Sequence, residues 1–474
     1  TVSNISVKQV DPNDRWSLES NWAYGSNKVI GSATTSEIQQ DVDLPSGKVY
    51  KTTFTIEDYV SGSVRIRFRG GTTVSGTNRS GNGTYTEILT STGHTNVKID
   101  GFTSFTGSVT NISVVEVQGD RPRLSYDITN GVVEDKPHLL LEPSSTNLVT
   151  HSVDLSNAFW TKFNTTVATN NTTAPDGTVT ANKITSSGTF ANINRTFTKS
   201  ASALSYTQSA FVKTSGYDLF NFIAYGSSSA NRAQVEFSLT NGNINTAAIA
   251  VGSFTSASAT ITAYSNDWYK ITLSYTTDTS TEVKYYLQFP IEMSTNFIYL
   301  WGAQLEQQTY CTSYIPTAGT TITRAAETCN NSKPSVNSTE GVLYAETATL
   351  SNNTGAARIL SLSDNTTNNS IRFEYRSTAN QIRLRYRNGG ASQNDFIHTL
   401  SNEEDFNKIA FKYKANDFSL YVNGTEVATL TSGSVVAANT FTTLKFLRAD
   451  DSNTFYGKVK GLAVYNEALS ESQL

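Results

Sequence analysis

Two segments of the sequence carry three arginines each, at alternate positions. One reads V-R-I-R-F-R and the other reads I-R-L-R-Y-R. Because side chains alternate between the two faces of a strand, the arginines of each segment fall on one face and the apolar residues on the other. Guanidinium groups about 6.6 Å apart, two residue rises, can form bidentate hydrogen bonds with carboxylates or sulfates along a glycan. The alternative is an outward sheet face that stays soluble and resists edge pairing. The two rows are Arg65, Arg67 and Arg69, and Arg383, Arg385 and Arg387.

Aromatic residues near the start of the chain are a second set of candidates for sugar contact. Trp16, Trp22 and Tyr24 lie in a turn-rich stretch, and Tyr85 follows an Asn-Gly turn. Sugar rings present apolar C–H faces that pack on Trp or Tyr, while their hydroxyls bond to amides and carboxylates. The alternative is a core position, because large aromatics are usually buried. We expect at least one of these two tryptophans to lie in a core.

Residue sets typical of catalysis are missing from the sequence. Its four histidines are in no metalloprotease spacing, and no G-x-S-x-G motif occurs. The adjacent acids Glu403, Glu404 and Asp405 are predicted to form a solvated polar turn. A glycosidase needs two carboxylates about 5–9.5 Å apart across a cleft, and nothing in the sequence indicates such a pair. We therefore expect the chain not to be an enzyme.

The elements that position these side chains are predicted to be strands. The chain has 474 residues, 11% aromatic and 16% charged, with one Met and nine Pro. β-Branched and aromatic side chains suit a pleated surface, and Ser, Thr and Asn compete with helical hydrogen bonds. A formal charge of −4 gives no global attraction to nucleic acid. No apolar run approaches the ~20 residues of a membrane span, so we expect no membrane insertion.

Turn signals divide the chain into tandem all-β sandwich modules, which the resemblances given below imply to be jelly rolls. We predict modules at residues 11–118, 151–311 and 334–474, joined by an extended linker at 119–150 and a second linker at 312–333. Residues 1–10 repeat the pattern V-x-N-I-S-V found near residue 110. We interpret them as the last strand of a preceding module, with chance similarity as the alternative.

Cys311 and Cys329 are either one disulfide or two free thiols.

Three stretches resemble a recurring pattern in tail and fibre-associated proteins of bacteriophages. They are L-L-L-E-P-S-S-T-N-L at 139–148, A-P-D-G-T at 174–178, and Y-L-W-G-A-Q-L-E at 299–306 followed by T-S-Y-I-P-T and T-R-A-A. The family usually carries an arginine at the position of Ser145. Glu142 and Glu306 lie at the two ends of the second module, and we expect one of them to pair with Arg324.

The last module resembles a laminin-G or concanavalin A-like jelly roll, through Y-V-N-G at 421–424 and G-L-A-V-Y-N-E-A-L-S at 461–470. The first module is similar to galactose-binding-like carbohydrate-binding modules, through Trp16, Trp22 and the closing strand I-S-V-V-E-V. Sandwich modules of this resemblance often hold structural calcium in an oxygen-rich loop. Asp450, Asp451 and Asn453 form such a loop, with a plain polar loop as the alternative.

These resemblances imply a non-catalytic, tail or fibre-associated protein at a virion surface or outside the cell. Its expected partners are a polysaccharide or surface glycan of the host and other virion proteins. Phage fibres are commonly trimeric, so the resemblance also implies a homotrimer, although no heptad repeat supports one. The alternatives are an accessory carbohydrate-binding region of a secreted polysaccharide-degrading enzyme, or a structural spacer that binds nothing.

Overall fold

The computed structural model describes residues 16–25, 28–116, 123–293, 296–329, 332, 334–352 and 357–473. The repeat strand predicted at residues 1–10 lies outside these ranges. Within them the chain forms 35 strands and a 3₁₀ turn at Glu471–Gln473. The prediction of an all-β fold is therefore confirmed. The strands belong to two compact units, Thr1–Gly119 and Asp120–Leu474.

The first unit is a single antiparallel sheet that doubles back on itself. Its strands are β1 (Ser17–Leu18), β2 (Trp22–Gly25), β3 (Lys28–Thr34), β4 (Glu37–Leu44), β5 (Val49–Arg69), β6 (Val74–Ser75), β7 (Gly83–Thr90) and β8 (His94–Glu116). The long strands β5 and β8 pair with each other, and their register shifts near Gly62, which has a φ of 78°. Tyr50 and Phe68, near the two ends of β5, have ring centroids only 5.7 Å apart. The bend therefore brings both halves of the sheet onto one apolar core.

The second unit begins with a hairpin in the region that the sequence predicts to be an extended linker. Its strands are β9 (Arg123–Thr129) and β10 (Val132–Leu141). Leu139 of β10 pairs with Val459 near the chain end, and Leu141 is fully buried in the C-terminal core. Pro137, which has no amide hydrogen to donate, follows a register shift between the two strands. The apolar residues of β10 thus place this stretch in a sheet despite its prolines.

The middle of the chain forms a sandwich of two six-stranded antiparallel sheets. Its strands are β12 (Thr161–Phe163), β13 (Thr165–Thr172), β14 (Ala181–Ser186), β15 (Ala191–Thr198), β16 (Ser205–Ser215), β17 (Leu219–Tyr225), β18 (Arg232–Ser238), β19 (Asn243–Val251), β20 (Thr255–Tyr264), β21 (Trp268–Thr276), β22 (Glu282–Phe289) and β23 (Phe297–Glu306). Alternate residues such as Tyr285 and Leu287 are buried between the sheets. Two short strands, β11 (Ser145–Asn147) and β24 (Ile322–Arg324), pair the segments that flank the sandwich.

The C-terminal part is a second sandwich around one core. Its strands are β25 (Glu340–Thr349), β26 (Arg358–Ser363), β27 (Ser370–Tyr375), β28 (Gln381–Asn388), β29 (Ala391–Ser392), β30 (Phe396–Thr399), β31 (Asn407–Lys414), β32 (Asp417–Val422), β33 (Thr425–Leu430), β34 (Thr443–Lys445) and β35 (Gly457–Tyr465). One sheet has the order β33-β32-β31-β25-β35-β10-β9. The other, which we call the arginine sheet, has the order β29-β28-β27-β26-β34, with β30 beside β28.

Candidate functional site

The second arginine row lies on the outer face of the arginine sheet. Ile382, Leu384 and Tyr386 of β28 are at most 1% exposed and point into the core, so the intervening arginines point away from it. Arg383 binds both carboxylate oxygens of Asp395, and Arg385 donates to Oδ2 of the same group at 3.0 Å. The predicted alternation is confirmed, and one acid partly neutralises the row.

Strand pairing adds further polar side chains to this face. Arg372 of β27 lies opposite Arg385, and Ser361 of β26 lies opposite Arg372. A pocket with about 260 Å³ of empty space opens here, which we call the arginine pocket. It is lined by Ser361, Thr367, Ser370, Arg372, Arg385, Arg387, Arg448 and Ala449. Arginines from β27, β28 and the segment after β34 therefore converge on one small space.

Three guanidinium groups of the arginine pocket have an unused donor. The buried Nε atoms of Arg372, Arg385 and Arg448 find no hydrogen-bond partner among the described residues. Nε of Arg448 does lie 3.5 Å from Oδ2 of Asp450, in an ion pair. Burial lowers the pKa of Arg372, and the neighbouring Arg448 lowers it further, while Glu374, at 2.9 Å, opposes the change. A buried donor without a partner costs free energy, so the pocket has the electrostatics of an anion site.

The first arginine row lies on the outer face of the first unit and binds its own acid. Nε of Arg65 and Nη1 of Arg67 lie 3.0 and 2.9 Å from Oδ2 of Asp100 on β8. Phe102 lies under the guanidinium of Arg65, 4.9 Å away, and Arg69 donates to Oγ1 of Thr73 at 3.0 Å. These contacts agree with the alternative interpretation of the first arginine row, an outward sheet face that stays soluble.

The aromatic candidates of the first unit do not form a shared exposed platform. Trp22 is 6% exposed, packs 5.8 Å from Phe105, and donates from Nε1 to the carbonyl of Ser36. Trp22 is thus a core residue, as expected for at least one of these tryptophans. Trp16 and Tyr24 are half-buried on the same core, and the Tyr24 hydroxyl donates to the Trp16 carbonyl.

Tyr85 also packs on that core rather than standing free. Its ring lies 5.8 Å from that of Phe54, and its hydroxyl donates to the carbonyl of Gly81 at 3.0 Å. The guanidinium carbon of Arg79 lies over the Tyr85 ring, 5.2 Å from its centroid. The half-buried ring leaves little of its face for a sugar.

The structure brings the predicted calcium ligands into one loop, where most of their oxygens already have partners. Asp451 accepts from Nζ of Lys445 at 2.7 Å, and Asp450 accepts from the Ser452 hydroxyl at 2.6 Å. The Ser452 hydroxyl also lies 3.2 Å from Oδ1 of Asn453. In the described part of the chain, no three His, Cys, Asp or Glu side chains come together as a metal site. As the loop is folded, these oxygens bind Lys445 and Ser452, and calcium binding here stays a prediction.

A buried ion cluster joins the segments on either side of the middle sandwich. Nη1 of Arg324, a residue that is 1% exposed, lies 2.6 Å from Oε2 of Glu142. Arg123 contacts both Glu142 and Glu327. The predicted pairing of Arg324 is confirmed with Glu142, whereas Glu306 accepts hydrogen bonds from the side chains around it. We call Arg123, Glu142, Arg324 and Glu327 the ion cluster.

The acidic turn near residue 403 differs from its prediction. Glu403 is fully buried, because its carboxylate accepts from Nη2 of Arg358 at 2.8 Å and from the amide of Asn380 at 3.1 Å. Burial raises the pKa of Glu403, against the effect of Arg358. The prediction of a solvated turn was wrong for this residue.

Cys311 and Cys329 are free thiols.

Comparisons with known proteins bear on the C-terminal part. Residues 345–474 match the family described as the Concanavalin A-like lectin/glucanases superfamily. No curated protein matches the chain. Within the described ranges, no helix is long and apolar enough to cross a membrane.

Three solved structures show low similarity. The CBM40 module of a Ruminococcus gnavus IT-sialidase bound to α2,3-sialyllactose is 18% identical with a TM-score of 0.25, covering 29% of this chain and 80% of that one. Domains LG4-5 of the mouse laminin α1 chain are 9% identical with a TM-score of 0.22, covering 60% and 90%. The CBM22-1–CBM22-2 tandem of Paenibacillus barcinonensis Xyn10C is 10% identical with a TM-score of 0.23, covering 62% and 94%. At these TM-scores the similarities carry no functional argument.

The family match and the two-sheet architecture agree on the same part of the chain. The matched residues contain the arginine sheet and most of the sheet that packs against it. The C-terminal part of this multi-module β-sandwich protein is a concanavalin A-like laminin G domain.

Proposed function

We propose that this chain is a non-catalytic protein that binds glycans through the outer face of the arginine sheet. The observation that carries the proposal is the arginine pocket, which lies on a polar sheet face of a domain whose family is described as concanavalin A-like lectins and glucanases. Guanidinium and hydroxyl groups are the donors that sugar hydroxyls and acidic sugar substituents need. Both arginine rows pair with an acid of their own, Asp100 in the first unit and Asp395 beside the arginine sheet, so it is the arginine pocket that leads us to assign the main binding face to the arginine sheet.

The setting of this function is proposed from the sequence motifs. The stretches at 139–148, 174–178 and 299–306 resemble tail and fibre-associated proteins of bacteriophages. On this proposal the chain sits at a virion surface or outside the cell, contacts other virion proteins, and forms a homotrimer. Three copies would raise a weak single-site affinity for a repetitive host polysaccharide through effective concentration.

The absence of catalysis is also part of the proposal. Hydrolysis of a glycosidic bond needs two carboxyl groups that face the substrate in complementary protonation states. Near the arginine pocket, Asp395 binds Arg383 and Arg385, and Glu374 contacts Arg372. Carboxylates bound to guanidinium groups are not free to face a substrate, which supports a binding role rather than that of a general acid.

The test is binding of the full 474-residue chain to an array of bacterial and host polysaccharides. We expect binding that the double variant Arg385→Gln/Arg387→Gln loses. The matched control is Arg376→Gln, whose guanidinium bonds to Gln381 outside the arginine pocket. Silence on every glycan would contradict the proposal and favour a spacer. Release of reducing or unsaturated ends from a bound polysaccharide would contradict the absence of catalysis.

A further inference from the structure

We propose that the arginine pocket receives a tetrahedral oxyanion substituent, a sulfate or phosphate ester, carried by the bound glycan. This inference rests on the proposed function, because the arginine pocket lies on the face to which we assign glycan binding. It adds the chemical class of the ligand and the atoms that recognise it.

The first argument is the balance of charge. Four arginines line the arginine pocket, and none of its described lining residues is acidic. Arg372 and Arg385 occupy directly opposite positions on β27 and β28. Like charges at such positions, with Cβ atoms about 4.5–5.5 Å apart, destabilise a sheet. The acids that pair with Arg372, Arg385 and Arg448 lie outside the lining, so only cationic and neutral groups face the space itself. These acids are Glu374, Asp395 and Asp450.

The second argument is the set of unused donors. Arg372, Arg385 and Arg448 each have a buried Nε atom without a hydrogen bond in the described structure, although that of Arg448 lies 3.5 Å from Oδ2 of Asp450. The Nε atoms themselves are buried, but the side chains retain 16, 22 and 32% exposure, so a group arriving from solvent first meets other atoms of the same guanidinium groups. Native proteins rarely leave several buried donors unsatisfied in one place. A single anion that accepts from all three would satisfy them together.

The three Nε donors come from different directions, and this favours an anion of a particular shape. A carboxylate is planar, and one guanidinium in bidentate geometry can satisfy both of its oxygens. The three unused donors instead come from β27, from β28 and from the segment after β34. A sulfate or phosphate ester has three terminal oxygens in different directions, which suits donors from three sides. Hydroxyls of Ser361, Thr367 and Ser370 complete the lining.

The size of the arginine pocket supports a substituent rather than a whole sugar. Its empty space of about 260 Å³ includes the open mouth. The enclosed part of that space has room for about one water-sized group, far less than the roughly 300–1,000 Å³ of sites that enclose a complete small ligand. The sugar ring would therefore lie on the outer sheet face while its ester group enters the arginine pocket.

The experiment measures binding of four probes to the full chain at constant ionic strength. The probes are N-acetylglucosamine, its 6-sulfate, its 6-phosphate, and glucuronic acid. We expect one of the two esters to bind at least about tenfold more tightly than the neutral sugar or the carboxylate. The tighter ester identifies the ligand as a sulfated or a phosphorylated glycan.

Variants then place that preference in the arginine pocket. Arg448→Gln and Arg372→Gln are each expected to weaken ester binding at least about tenfold, whereas the control Arg376→Gln keeps the wild-type affinity. Arg448 lies outside the strands, so its substitution is the less disruptive of the two for folding. The unfolding midpoints of both variants check that they are folded. Inorganic sulfate or phosphate should raise the midpoint of the wild-type chain but not that of Arg448→Gln.

The outcomes separate this inference from the proposed function. Equal affinity for all four probes, or ester binding unchanged in both pocket variants, would overturn the inference. If the polysaccharide array shows binding while no ester is preferred, the inference fails and the proposed function stands. If inorganic sulfate stabilises the wild type but no glycan binds, the proposed function fails and the arginine pocket remains an anion site.

Discussion

Arg372 and Arg385 face each other directly across the antiparallel pair β27–β28, although both are cations. Their acidic partners lie to either side, Glu374 on the same strand as Arg372 and Asp395 beyond β28. If positive charge had no role at this point, an acidic or neutral residue at one of the two positions would make the sheet more stable. The pairing is therefore the feature that most clearly links the fold to anion binding.

On the proposed function, Asp395 competes with an acidic glycan for Arg383 and Arg385, which predicts the effect of removing its charge. Asp395→Asn should strengthen binding of an acidic glycan severalfold, because Arg383 and Arg385 lose their internal partner. Since Asp395 is 40% exposed at its side chain, stability should change by less than about 1 kcal/mol. Binding isotherms and thermal unfolding check both parts. Asp417→Asn, which removes a charge paired with Lys412 in the other sheet, is the matched control. Equal or weaker binding by Asp395→Asn would contradict the competition.

The ion cluster should dominate the stability of the second unit. Glu142→Gln leaves the buried Arg324 without its closest acid, so we expect a loss of roughly 3 kcal/mol in the free energy of unfolding. Calorimetric unfolding of the full chain measures it. The control Glu340→Gln breaks the exposed pair with Lys414 and should leave the midpoint nearly unchanged. Similar midpoints for the two variants would show that the ion cluster contributes little.

We expect the second unit to lose stability in mild acid because of His138. It is 2% exposed beside Phe406, and burial lowers its pKa from 6.5, against the opposing effect of Asp127. The unfolded chain therefore binds the proton at a higher pH than the folded chain does. The contribution of His138 is complete above about pH 6.5 and is lost as the pH falls from there towards the lowered value. The other charged groups that act on His138 are Lys458, Lys460 and Glu134.

The measurement is the unfolding midpoint of the second unit between pH 7.5 and pH 5 at constant ionic strength. His138→Gln should fall less steeply than the wild type over this interval, because glutamine takes up no proton. Identical pH profiles for the two proteins would mean that another group is responsible for the acid sensitivity.

Trp22 should matter for folding rather than for sugar contact. Trp22→Ala removes a ring that packs on Phe105 in the core of the first unit, so we expect a loss of about 3–5 kcal/mol. Urea unfolding followed by tryptophan fluorescence and circular dichroism reports the change. Trp16→Ala, at a half-buried position on the same core, should cost less. A stable Trp22→Ala variant that has lost glycan binding would instead assign the ring to a sugar site.

Alternation within a strand was visible in the sequence, and it located part of the candidate site. The pattern of β28 correctly predicted that Arg383, Arg385 and Arg387 share a face opposite the apolar core. It could not predict Asp395 as their partner, because that contact depends on how the chain turns back after β28. The same limit applies to Trp22, whose burial depends on the bend that brings Phe105 over it.

The remaining members of the arginine pocket come from distant parts of the chain. Arg372 had a local signal, since S-I-R-F-E-Y alternates in the same way as β28. Arg448 had none, because it follows a three-residue strand and reaches the site only through the pairing of β34 with β26. The sequence also failed to predict the β9–β10 hairpin as part of a sheet. Its partner strand β35 lies more than 300 residues away in the sequence.

A structure of the full chain with N-acetylglucosamine 6-sulfate or 6-phosphate bound is the most direct measurement. The ester oxygens should lie within hydrogen-bond distance of Nε of Arg372, Arg385 and Arg448, with the sugar ring on the outer face of the arginine sheet. A ligand seated in the first unit or in the middle sandwich, with the three Nε atoms still unpartnered, would contradict the assignment of glycan binding to this face.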